Sequence, residues 1–176
     1  MFVNKELDDR RNIPMKAKLF EVSSCHNDVY KQIITTIEEF ESKDYFSNLI
    51  GKTQSEQKAI VTKFQNDLYE KLSSEVIEIK WQLEHQPKVD AKDAIDIFGA
   101  SENFVVVIEL DKHRADQVAK KFISRSALLS KKTIFFISLC YPGTSNMPIN
   151  ETKKYFEYCK ILSEKIDNDY AGFIII

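Results

Sequence analysis

Two apolar runs of strand length, separated by one helix's worth of mixed sequence, limit the folds open to this chain more than any other feature. The run from Phe104 to Leu110 is β-branched and apolar on both faces until Glu109 and Asp111 close it, and Lys132 to Tyr141 reads the same way. Such runs suit strands buried on both sides. Between them Ala115, Val118, Ala119, Phe122 and Ile123 recur as the inner stripe of a helix. A strand, helix and strand of this length form a crossover that sets the two strands parallel.

The remaining elements arrange themselves around that unit. Ala17 to Val22 reads as a short strand or arm, and Ser23 and Ser24 are capable N-caps for a helix with Val29, Ile33, Ile37 and Phe40 on one stripe. A second helix, about Ser55 to Leu72, buries Ile60, Val61, Phe64, Leu68 and Leu72. From Val76 the period drops to two, with Ile77, Ile79, Trp81 and Leu83 on one face, until Pro87 ends the strand. Ala94 to Phe98 follows as a second strand, and Asn103 to Asp111 as a third, in an antiparallel meander. A helix over 151–166, with Tyr155, Tyr158, Cys159 and Leu162 inward, leads to a last strand over 171–176. The expected class is α/β: an α-β-β-β-α-β core whose mixed β-sheet is flanked by helices, with a helical N-terminal layer.

Composition narrows the function classes. A chain of 176 residues that is 43% hydrophobic suits a single domain over 1–176 with a substantial core. A formal charge of -2 and a pI near 6.0 argue against a basic coat for nucleic acid, so phosphate binding must come from a local patch or a metal. Cys25, Cys140 and Cys159 show no paired spacing and are expected as free thiols in a reducing cytoplasm. No run is long enough to span a membrane, and Met1 to Arg11 lacks the apolar segment of a signal peptide. His26, His85 and His113 have no zinc spacing, and the glycine-rich motifs of phosphate loops, dinucleotide folds and hydrolase elbows are absent.

The chemistry sits at the ends of the central strands. Glu109 and Asp111 share one face because side chains alternate with period two, and a hairpin brings Asp96 beside Glu109. Like charges about 4 Å apart repel by roughly 4 kcal/mol at an effective dielectric near 20. Such a cluster invites a cation, and oxygen-only ligands favour Mg²⁺ or Mn²⁺. The bland alternative makes Glu109 and Asp111 ordinary acids that end a strand and cap the next helix, with Asp96 or Asp93 a turn residue.

This order of elements, with Asp96 on one strand and Glu109-Leu110-Asp111 on the next, resembles the PD-(D/E)xK superfamily of restriction-endonuclease-like nucleases. The resemblance spans roughly residues 55 to 140. It implies a catalytic core over 55–140, preceded by an N-terminal arm and helix (1–50) and followed by a C-terminal helix and strand (150–176). It also implies a metal-dependent DNA endonuclease, with Mg²⁺ held by Asp96, Glu109 and Asp111, and with Glu70 of the preceding helix or Glu78 of the first strand as candidates for an additional acid. The chain departs from the family at one place: Asp111 stands where Lys is expected. Some restriction endonucleases carry a second acid there, and Lys120 or Lys121 on the next helix is the other way to fill the gap.

Arg114, Gln117, Lys121 and Arg125 recur at spacings of three, four and four, a face expected to meet phosphate opposite the apolar stripe. As catalytic residues the resemblance implies Asp96, Glu109, Asp111 and Lys121, with Arg114, Gln117, Lys120 and Arg125 contacting DNA. A single-site domain of this size would cut both strands as a homodimer. The competing expectation is a nuclease-fold DNA-binding or assembly module that has lost turnover, and the basic residues could equally be a solvated face.

Overall fold

The computed structural model describes residues 15–24, 27–88, 94–112, 114–129, 131–143 and 149–176. In chain order these form β1 (Ala17–Val22), α1 (Asp28–Glu39), α2 (Lys43–Phe46), α3 (Gln54–Glu75), β2 (Lys80–His85), β3 (Ile95–Ala100), β4 (Phe104–Lys112), α4 (Ala115–Leu128), β5 (Thr133–Tyr141), α5 (Ile149–Lys165) and β6 (Asp169–Ile175). The strands make one six-stranded mixed sheet in the order β1-β6-β5-β4-β3-β2. β4, β5 and β6 run parallel, while β2, β3 and β4 form the antiparallel meander and β1 pairs antiparallel with β6.

Alternation along β4 sorts its side chains between two apolar layers. Val106, Ile108 and Leu110 join Ile33 and Ile37 of α1 and Phe64, Leu68 and Leu72 of α3. Val105 and Val107 face Val118 and Phe122 of α4 and Phe156 and Cys159 of α5. Helices therefore cover both faces, which is what a doubly apolar strand requires. Gly172 on β6 has a specific packing role: a Cβ there would lie 2.5 Å from the Phe156 ring, so the missing side chain lets α5 settle on the sheet.

Local chemistry sets several boundaries differently from the periodicity. Asn27, not Ser23 or Ser24, caps α1, its side chain accepting from Val29 N–H at 2.9 Å. Ser23 instead extends the sheet, its Oγ accepting from Tyr170 N–H. α3 opens on a capping box in which Thr53 and Glu56 satisfy each other's backbone N–H groups. α2 is too short for periodicity to reveal. Ile77 precedes β2 in a turn and is 79% exposed, so only Ile79, Trp81 and Leu83 of the expected stripe pack inward.

The inner stripe of α5 is displaced from the expected one. Thr152, Phe156, Cys159 and Ser163 face the sheet, while Tyr158 (51%) and Leu162 (41%) are exposed. Counting apolar residues misplaced the stripe because Thr152 and Ser163 are small enough to lie under the helix. On α4, Ile123 is likewise turned outward, 58% exposed. Cys140 and Cys159 are free and buried, and Cys25 and His113 lie outside the described residues. Among the described residues no helix is long and apolar enough to cross a membrane.

Candidate active site

Register brings the acids together. Ile97 on β3 pairs with Ile108 on β4, which sets Asp96 beside Glu109, on the face of the sheet covered by α4. Asp96 Oδ2 accepts the Leu110 N–H at 2.7 Å, tying its carboxylate to the neighbouring strand. Glu109 and Asp111, two residues apart on β4, point the same way and are both buried. The expected convergence of three carboxylates is present.

Their neutralising charges come from the protein itself. Lys121 of α4 places its ammonium 2.8 Å from Glu109 Oε2, 3.1 Å from Asp111 Oδ1 and 3.5 Å from Asp96 Oδ2, and donates to the Leu110 carbonyl at 3.3 Å. Arg125, one turn further on, donates from Nε to Glu109 Oε1 at 2.7 Å and reaches the Ala94 carbonyl at 3.1 Å. Three acids and two bases leave the cluster formally one charge negative. Burial works against that imbalance, because it favours the neutral form of the acids. It pushes the Asp96 carboxyl up to about 6, with Glu109's charge adding to the effect and Lys121 opposing it. It likewise pushes Asp111 up to about 6, against the pull of Lys121. Burial pulls the Lys121 ammonium down, but attraction to Glu109, Asp96 and Asp111 outweighs it and the net shift is upward.

The expected basic face of α4 is divided. Lys121 and Arg125 do not lie opposite the apolar stripe but turn into the acid cluster, and Arg125 is only 4% exposed. A long side chain on a helix flanking a charged strand end finds its lowest energy by pairing with that charge instead of staying in water. Arg114 and Gln117 remain nearer the surface and both donate to Asp116. Lys120 is exposed. Glu70 is exposed on α3, on the opposite side of the sheet from α4, and does not join the acids.

Sequence reading missed two supports of this site. Gln65, buried on α3, donates to the Asp96 carbonyl and to Glu84 Oε1, both at 2.7 Å, and so holds β3 from behind. Its only sequence signal was a polar residue beside Phe64 in the inward stripe. Arg125 serves as the partner that fixes Glu109, a role that helical spacing alone could not assign.

The residues can be tested as a metal site. The donors are all oxygens, and Asp111 Oδ2 is buried with no hydrogen-bond partner among the described residues, as an unused ligand atom would be. Glu109 Oε2 has no aligned hydrogen bond either, its partner being the ion-paired Lys121. Against that, no group of three or more His, Cys, Asp or Glu among the described residues is arranged to hold an ion, and the Lys121 ammonium lies within 3.5 Å of all three acids. The donor chemistry fits a hard divalent cation, with Lys121 as its resident competitor. No family model and no curated protein matches this chain.

Proposed function

We propose that this chain is a metal-dependent endonuclease that hydrolyses DNA phosphodiester bonds, and that its mixed sheet is of the restriction-endonuclease-like type. The observation carrying this reading is the convergence of Asp96, Glu109 and Asp111 within 3.5 Å of one ammonium, that of Lys121. Asp111 stands where the family pattern expects Lys, and the ammonium of Lys121 lies 3.1 Å from it, supplied from α4 instead of the strand. Two acids pushed up to about 6 by burial, and a buried oxygen with no hydrogen-bond partner among the described residues, still favour a further cation.

Asp96, Glu109 and Asp111 would hold the Mg²⁺ or Mn²⁺ ion. When bound, that ion supplies Lewis-acid polarisation and acidifies the attacking water. Where Asp111 does not complete the metal's shell, it accepts the proton of that water, a task suited to a carboxyl that burial pushes up to about 6. The water oxygen bonds to phosphorus, the bond to one ester oxygen breaks, and the departing alkoxide takes a proton from solvent, leaving a phosphomonoester and an alcohol. Lys121 offsets the negative charge that grows on the phosphoryl oxygens. Arg125 keeps Glu109 oriented. Paired cleavage of both strands calls for a homodimer.

A second reading has its own support: Lys121 and Arg125 already neutralise most of the acid charge, as a metal-free structural network would. In that case the chain is a nuclease-fold binding or assembly module. Plasmid incubation with Mg²⁺, Mn²⁺ or Ca²⁺ separates the two. The endonuclease cuts with Mg²⁺ and Mn²⁺, and Asp96→Asn abolishes cutting. Wild-type protein that binds plasmid but never cuts it decides for the module.

A further inference from the structure

A second feature lies on the other face of the sheet, at the same end of β4. Asp111 and Lys112 close β4 and project to opposite sides, so Lys112 faces α3 while Asp111 faces α4. There a cleft of about 260 Å³ is lined by Gln54, Gln57, Lys58 and Thr62 of α3 together with Lys112 and Tyr141. Among the described residues, none that lines it is acidic.

The position of Lys112 is built. Its stem lies over Gly143, where a Cβ would come within 2.8 Å of the Lys112 Cβ and 2.9 Å of its Cγ and Cδ, so the glycine makes room for it. Its ammonium donates to Gln57 Oε1 at 3.0 Å. An ammonium carries three N–H donors and this contact uses one. Tyr141, the register partner of Lys112, stacks on Phe46 with ring centroids 5.3 Å apart. Asp111 and Lys112 are consecutive, so the cleft and the acid cluster lie back to back across the end of β4, and burial, then the charge of Asp111, push the Tyr141 phenol up to about 12.

A polyanion needs such a place. The acid cluster is formally negative and the whole chain carries -2, so neither attracts a phosphate backbone without help. Lys58 and Lys112 supply a local positive field next to the cluster, and the side chains of Gln57 and Thr62 can also donate to phosphate oxygens. We propose that this cleft seats a backbone phosphate neighbouring the one that is cut, gripping DNA without reading its bases. The proposal rests on the endonuclease reading and names how that site holds its substrate.

Anisotropy of a labelled DNA duplex titrated with the full chain in Ca²⁺ tests it. Lys58→Ala/Lys112→Ala is expected to weaken binding about tenfold and to lower the slope of log affinity against log salt by about one, since each neutralised phosphate contributes roughly 0.9. Lys80→Ala, at an exposed position on β2 at the other end of the sheet, leaves both unchanged. Should circular dichroism find the double variant misfolded, Lys58→Glu decides instead: Lys58 is exposed on α3, and charge reversal there must weaken binding at least as much. Unchanged affinity and slope in a folded variant, with wild-type protein binding normally, overturn the cleft and leave the active-site reading standing. Wild-type protein that does not bind duplex at all overturns both.

Discussion

Lys121 Nζ lies 3.1 Å from Asp111 Oδ1, so the helix following β4 brings an ammonium to the acid-bearing face of that strand's end. The same ammonium is the counter-ion of Glu109 and Asp96. A divalent cation binding these acids must contend with it. That contest separates what Lys121 does for the fold from what it does for a reaction.

Lys121→Met is expected to destabilise the metal-free protein by about 3 kcal/mol, because three acids are left with one fewer buried counter-charge. It should tighten Mg²⁺ binding by about tenfold, since a like charge has been taken from the ligand set. Cleavage should nevertheless fall by about a hundredfold with the loss of transition-state charge stabilisation. Melting curves with and without Mg²⁺, calorimetric titration and plasmid nicking read the three effects. Weaker metal binding in the variant would show that Lys121 assembles the ligands instead of competing with the ion.

The raised carboxyls make stability and metal binding respond oppositely to pH. Asp96 and Asp111 hold their protons to about 6 when folded against an ordinary value of 3.8, so between about pH 4 and 6 the folded state binds more protons. Stability contributed by this pair therefore falls as pH rises through that window. Asp96→Asn should gain on the order of 2 kcal/mol over wild type at pH 7.5, and much less at pH 4.5, in urea unfolding. Mg²⁺ affinity of the wild type should instead rise from pH 5 to 7 as protons leave its ligands. A variant equally stabilised at both pH values would contradict the raised carboxyl.

Arg125 and Arg114 flank the same helix but should behave as different kinds of residue. Arg125→Ala leaves Glu109 buried and short of a partner, at a cost of about 3–5 kcal/mol. Arg114→Ala removes an exposed pair with Asp116 and should change stability by less than about 0.5 kcal/mol. Chemical denaturation of the two variants checks the contrast, and equal losses would mean that the Glu109 pair is not the one holding α4 in place.

Continuous apolar runs of strand length were enough to place β4 and β5, and helical spacing placed the helix between them and the crossover that makes them parallel, because run length, helical period and crossover length are local properties. Sequence pattern was also enough to bring Asp96 beside Glu109, since the length of the hairpin sets the register. It could not orient α5, where Thr152 and Ser163 lie beneath the helix although their polarity marks them for the surface. Nor could it decide the fate of the α4 cations. Helical spacing puts Arg114, Gln117, Lys121 and Arg125 on one side of a cylinder, but whether a long cationic side chain faces water or turns toward a buried carboxylate depends on what the sheet presents beneath it. Only the packing of α4 over the end of β4 made Lys121 and Arg125 partners of the acids, because the cost of burying those acids is met by whichever opposite charges lie within reach.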